Sequence, residues 1–188
     1  MKTPDGFGQS YNAQAAVEIE SRLLVGVKVS DAPNDKGQLK PTLEAVSAVI
    51  ESVEAVLVDS GYYSAAAVAG VEELGGGKAG PMIYAATGRK AHGRTVQELE
   101  QRTDPPEPGP EASAKERMKH RLETRQGREL YALRKQTIEP IFGIIKETLG
   151  FRRFSLRGLK NVRTEWTLVT LAYNLKRLFH IGSAPLAA

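Results

Sequence analysis

The 188 residues contain no cysteine, which excludes a disulfide framework and any zinc site built on thiolates. Histidine is nearly as scarce, and His92, His120 and His180 stand too far apart to share the spacing of a metal-ligand set. No apolar run approaches the roughly 20 residues needed to cross a bilayer. No apolar stretch follows Lys2, so the segment from Met1 to Gly6 does not read as a secretory signal. A soluble cytoplasmic protein with no membrane partner is the expectation these absences leave.

What is present suits one domain, since 41% hydrophobic residues are enough to build a core at this length. The net charge of +4 is unevenly spread. Residues 1–100 hold 9 Lys/Arg against 13 Asp/Glu, and residues 101–188 hold 17 against 9. A basic half joined to an acidic half points to a polyanion such as nucleic acid, or else to a solvated helical surface.

From Tyr11 to Glu20 apolar and polar residues alternate, which predicts a strand with Tyr11, Ala13, Ala15, Val17 and Ile19 on one face. No strand is expected ahead of it. Leu23 to Val29 is nearly continuous apolar, and Glu20-Ser21-Arg22 is short enough to close a hairpin. Ser30 to Gly37 reads as a loop, and helical spacing of Leu39, Leu43, Val46, Val49, Ile50 and Val53 predicts a helix over 38–53. A short strand from Ala55 to Val58 stops at Asp59-Ser60-Gly61. A helix capped by Ser64 then runs to Leu74 before Gly75-Gly76-Gly77, and Pro81 to Ala85 makes a further strand. This order predicts an α/β fold with a mixed sheet.

Residues 87–112 change character. The run from Asp104 to Pro110 holds four prolines, which remove donors and fix φ, so a flexible exposed insertion is expected. Ser113-x-x-Glu116 forms a capping box that opens a basic helix to about Gln126. Gly127 is expected to interrupt it, a second stretch to cover 128–138, and Pro140 to start a new helix or a kink. A last helix covers about 161–180.

Three local patterns carry chemistry. Asp59 ends a buried strand, where open α/β sheets bind ligands, and a carboxylate there holds a divalent cation or simply opens a turn through its own backbone. Tyr131, Arg134, Glu139 and Lys146 form the second. Glu139 and Lys146 lie seven apart, so on an α-helix they share a face, as a phosphate-and-metal pair or as a surface ion pair. The third is the stretch from Phe151 to Lys160. Its Arg152, Arg153 and Arg157 interleave with aromatic residues in a way that suits a phosphate backbone or, alternatively, arginines lying over apolar surface.

Taken in order, Asp59-Ser-Gly-Tyr-Tyr, then Tyr131, Arg134, Glu139 and Lys146, then the arginine stretch, resemble the insertion-sequence DDE transposases marked by a Tyr, Arg, Glu, Lys signature. Gly8 to Ala15 at the front, and Glu165-Trp166 and Ala172 to Lys176 at the back, extend the resemblance over nearly the whole chain apart from the proline-rich insertion. It implies a ribonuclease H-like mixed sheet with flanking helices. It also implies three carboxylates holding two Mg²⁺ ions, and cleavage and strand transfer of DNA, at transposon ends and target, by an enzyme working as a homodimer when full-length. By motif position Asp59 is the second acid and Glu139 the third, both metal ligands, while Tyr131 and Lys146 contact DNA near the cut. Arg134 orients the end. The family places three residues between Arg and Glu, whereas four separate Arg134 from Glu139, so Lys135 fits the basic position equally well. The family's first acid lies on a strand ahead of the Tyr-Asn-Ala-Gln strand, and only ten residues precede Tyr11. The sequence therefore predicts a partial catalytic domain over 1–188 that lacks the first strand and is a truncated, inactive fragment. The alternative is a non-catalytic DNA-binding protein derived from a transposase.

Overall fold

A computed structural model describes residues 10–46, 50, 52–73, 80–88 and 103–183, together with the backbone of 2–3 and 6–7. In chain order the elements are β1 (Lys2–Thr3), β2 (Gly6–Phe7), β3 (Asn12–Val17), β4 (Leu24–Ser30), α1 (Leu39–Leu43) and β5 (Ala55–Val58). A 3₁₀ turn (Ser60–Tyr62), α2 (Ala65–Glu72), β6 (Met82–Ala85), α3 (Ala114–Glu123), α4 (Arg125–Gly143), a π-helical turn (Ile144–Thr148) and α5 (Leu159–Gly182) follow. The protein is mixed α/β, and its described strands pair two by two: β1 with β2, β3 with β4, β5 with β6. Two compact units divide the chain: residues 1–51 with 135–188 (the hairpin unit), and 52–134 (the crossover unit).

In the hairpin unit β3 and β4 pair antiparallel from Asn12↔Ser30 to Ala16↔Gly26, and the register shifts between Ala16 and Val17. Leu24 and Val29 pack with Ile141, Ile145, Val162, Trp166 and Tyr173 to form the core. Both faces of β3 are covered. Tyr11, Ala13, Ala15 and Val17 lie partly buried against that core. The polar pair expected to face water is buried more deeply, Asn12 at 8% exposure and Gln14 at 2%. Their amides reach a third residue: Asn12 Nδ2 donates to Asp35 Oδ1 at 2.9 Å and Gln14 Nε2 donates to the same oxygen at 2.8 Å. A buried amide is tolerated when it is hydrogen-bonded, which is how a polar face turned inward here.

Two expectations for this unit are corrected. A two-residue antiparallel ladder, Lys2↔Phe7 and Thr3↔Gly6, precedes Tyr11 where no strand was expected. The helix expected over 38–53 stops at Leu43, and Val46 instead bridges Gly26 of β4. A Cβ on Gly26 would lie 3.0 Å from the Val46 Cα, so glycine is what lets the two backbones meet. Of the remaining apolar positions in that stretch, Val49 lies outside the described residues.

The crossover unit is a β-α-β arrangement. β5 and β6 run parallel in the register Ala55↔Met82 to Val58↔Ala85, joined through α2. Ser64 caps α2 as expected, its Oγ accepting from the Ala67 N–H at 3.1 Å. The stop expected at Gly75-Gly76-Gly77 falls outside the described residues, as does 89–102 of the insertion. Residues 103–112 are irregular, as their prolines require, and they are tied to α3: Arg117 donates to the Pro110 carbonyl at 2.8 Å, and His120 Nε2 lies 3.1 Å from the Pro105 carbonyl oxygen. The Ser113–Glu116 capping box forms, and these bonds hold the Glu116 carboxyl below its ordinary range, the Ser113 hydroxyl first. Met118 and Leu122 of α3 are buried, as are Val71, Ile83, Tyr84 and Ala85. Arg121 binds Glu72 Oε1 at 2.5 Å and the Ile83 carbonyl at 2.6 Å, tying α3 to α2 and β6.

The break between α3 and α4 comes at Thr124, not at Gly127. Thr124 adopts ψ 157° and its Oγ1 accepts from the Gly127 N–H at 3.0 Å, which starts the next helix. α4 then runs unbroken through Pro140, where a new helix or kink was expected. Proline there removes one donor, and the departure from α geometry comes four residues later. Leu149 donates to the Ile144 carbonyl at 3.0 Å, closing an i to i+5 turn.

Candidate functional site

Asp59 stands at the carboxyl end of β5 and is exposed. One of its oxygens, Oδ1, accepts from the Ser60 N–H at 2.7 Å and so opens the 3₁₀ turn. The second oxygen makes no hydrogen bond among the described residues. In the same unit Tyr131, half-buried on α4, donates its hydroxyl to the carbonyl of Val58 at 3.1 Å. The Tyr-x-x-Arg motif is thereby fixed beside the strand end that carries Asp59. Burial raises the Tyr131 pKa most, the Arg134 guanidinium lowers it, and the Asp59 charge raises it. Arg134 lies 5.6 Å from the Tyr131 ring centre, and its buried Nε has no hydrogen-bond partner among the described residues.

Further along α4, Lys135 and Glu139 are exposed, and neither side chain makes a hydrogen bond or ion pair among the described residues. Lys146 is also exposed but lies in the π-helical turn. A seven-residue spacing puts two side chains on one face only while the helix keeps 3.6 residues per turn, so the shared face expected for Glu139 and Lys146 does not follow from their spacing.

The stretch 151–160 resolves its mixed composition by turning aromatics inward and arginines outward. Phe151 and Phe154 meet at 5.3 Å and lie 6.1 and 6.3 Å from Trp166, while Tyr11 contacts Phe154 edge-on at 6.1 Å. Arg152, Arg153 and Arg157 are exposed. Arg152 pairs with Glu147, and Arg153 makes no side-chain bond among the described residues. Glu165 holds the loop's backbone, accepting from the Ser155 and Leu156 N–H groups at 2.8 and 3.0 Å.

Other residues of the resemblance serve the fold. Trp166 Nε1 donates to the Gln14 carbonyl at 3.1 Å. Asn174 clasps Leu24 of β4, accepting its N–H at 2.9 Å and donating to its carbonyl at 2.8 Å. The sequence reading missed this clasp, the Asn12–Gln14–Asp35 cluster and the Arg121–Glu72 pair. Only the two amides at alternate strand positions gave any signal, since an inward polar pair needs a partner.

Asp59 and Glu139 each carry hard carboxylate oxygens of the kind that magnesium takes. Within each unit, no group of three His, Asp or Glu side chains among the described residues gathers in the way a metal ion needs. The donor type fits such an ion, then, while the described residues provide no complete set.

Fold and charge define a mixed α/β protein with a basic C-terminal half. Residues 94–179, a little under half of the chain, match the family described as Transposase DDE domain. That segment is similar to the DDE transposases. The match takes in Tyr131, Arg134, Lys135, Glu139, Lys146 and the arginine loop, and leaves out Asp59. No curated protein and no solved structure matches the chain. DDE transposases act on DNA and use divalent metal ions. Among the described residues no helix is long and apolar enough to cross a membrane.

Proposed function

We propose that this chain serves DNA transposition as the catalytic region of an insertion-sequence DDE transposase, on a ribonuclease H-like plan. Asp59 and Glu139 are two of its three metal-holding carboxylates. Tyr131, Arg134 or Lys135, Lys146, Arg152, Arg153 and Arg157 hold DNA. When bound, a pair of Mg²⁺ ions activates the attacking oxygen and stabilises the leaving one. The chain's own residues fix the DNA backbone through cations, and the side chains of Asp59 and Glu139 are each exposed.

The observation that carries this reading is the bond from Tyr131 to the Val58 carbonyl, which sets the first signature residue against the strand end bearing Asp59. The chemistry takes three carboxylates, of which the resemblance assigns two, and DNA binding is the activity that the chain's basic residues support. A non-catalytic DNA-binding role is favoured by one further observation: Asp59 caps its own turn, as a purely structural aspartate does.

A nicking assay on supercoiled plasmid with Mg²⁺ or Mn²⁺, run beside a gel-shift measurement, tests this. DNA binding without nicking is expected. Nicking abolished in both Asp59→Asn and Glu139→Gln would support the site and overturn the inactivity. Nicking indifferent to both variants, or no DNA binding, would overturn the assignment.

A further inference from the structure

In the hairpin unit, a pocket of about 180 Å³ opens where α5 passes the β3–β4 turn and the end of α4. Its floor is apolar, with Ile141 and Tyr173 both buried. Its rim carries Arg22, Lys176, Arg177 and His180, and no aspartate or glutamate lines it. None of these four side chains takes part in a salt bridge among the described residues. Arg177 Nε donates to the Ser21 carbonyl at 2.7 Å, and its other nitrogens make no hydrogen bond among the described residues. Arg22 is held with φ 58°, in the left-handed region that a long side chain rarely adopts. Two bonds keep it there: its N–H donates to the Glu18 carbonyl at 2.9 Å, and its carbonyl accepts from the Tyr173 hydroxyl at 3.1 Å. Strain of this kind persists where the surroundings enforce it, and here it brings a cation to the rim of the pocket.

Uncompensated cations around an apolar floor fit an anion that carries an apolar body. A phosphodiester has that form, with charged oxygens on one side and the carbon faces of its sugar on the other. Resting on the reading that the chain binds DNA, we infer that this pocket is a second DNA-backbone site, separate in sequence from the arginine loop at 151–160. It grips one phosphate and seats the adjoining deoxyribose against Pro140 and Ile144, the exposed apolar residues of the lining. Contacts to phosphate and sugar carry no base sequence, so the site adds affinity and orientation rather than specificity.

The test is a fluorescence-anisotropy titration of the full chain with a labelled duplex at several salt concentrations. The variant is Arg22→Gly with Lys176→Gln; glycine accepts the left-handed backbone and both positions are exposed, so circular dichroism should be unchanged. Weaker binding is expected, with a salt dependence flatter by about one unit of slope for each phosphate the variant no longer neutralises. Arg152→Ala with Arg153→Ala serves as the comparison. If that pair weakens binding while the pocket variant leaves affinity and slope unchanged, this site is refuted and the DNA reading stands. If the parent chain binds no DNA, both fall. The His180 ring resonance separates the two phosphate sources: a shift with DNA supports the assignment, and a shift with inorganic phosphate alone overturns it.

Discussion

The same substitution at two glycines of α4 should have opposite effects. A Cβ built on Gly127 would sit 1.8 Å from the Arg121 carbonyl oxygen, 2.9 Å from its carbon and 3.0 Å from Thr124 Oγ1. The nearest obstacles are backbone, so no side chain can swing aside. Gly127→Ala must therefore open the α3–α4 corner, shifting the bond between Thr124 and the Gly127 N–H and the start of the helix that carries Tyr131. Overpacking of this kind costs roughly 1–3 kcal/mol and more where backbone must move, so a loss of about 3 kcal/mol is expected. At Gly143, near the other end of α4, an added Cβ meets nothing within 4 Å. There alanine should stabilise by about 0.5–1 kcal/mol, the difference in helix propensity. Urea unfolding followed by far-ultraviolet circular dichroism reads both variants. Fluorescence of Trp166, the single tryptophan, follows the hairpin unit separately. A neutral Gly127→Ala would show that the corner is not closed as described.

Three further outcomes follow from the same contacts. Tyr131→Phe removes the donor to the Val58 carbonyl and should cost about 1 kcal/mol at neutral pH. Burial raises the Tyr131 pKa, so the folded state keeps its proton longer than the unfolded chain; that contribution is full below the ordinary tyrosine value and fades as pH rises through the folded one. The variant should therefore lose less stability than the parent in urea titrations carried to alkaline pH, and an equal loss would contradict this. Asn174→Ala strips both partners from the Leu24 backbone and should lower the urea midpoint by an amount equivalent to about 1–3 kcal/mol, read by Trp166 fluorescence. Arg121→Met leaves the Glu72 carboxylate and the Ile83 carbonyl short of a donor and should cost a similar amount by circular dichroism, whereas an unchanged midpoint would mean the pair is solvated.

Much of the architecture could be read from local pattern. Alternation and β-branched runs marked β3 to β6, Ser64 and the Ser113–Glu116 box marked the starts of α2 and α3, and helical spacing marked α5. What escaped reading depended on tertiary partners. Asn12 and Gln14 look solvent-facing until Asp35, more than twenty residues on, supplies their acceptor. The early end of α1 follows from a backbone bridge to Gly26, which leaves no trace in the spacing of Val46. Pro140 signals a break, yet α4 tolerates it and departs from α geometry only at Ile144. On α5 the apolar residues divide: Val162, Trp166 and Tyr173 are buried, while Leu168, Leu171, Leu175, Leu178 and Phe179 are exposed, a division composition cannot show. The candidate site was legible as residue types in order. Their local attachments, Tyr131 to Val58 and Asp59 to Ser60, were not.

The most direct test of the proposed site is Mn²⁺ binding in the presence of duplex DNA, followed by the electron paramagnetic resonance signal of the free ion. If the carboxylates at 59 and 139 hold the same ion, Asp59→Asn and Glu139→Gln should each weaken binding, and the double variant should lose little more than either one. Purely additive losses, or a titration curve unmoved by both substitutions, would contradict a shared ion.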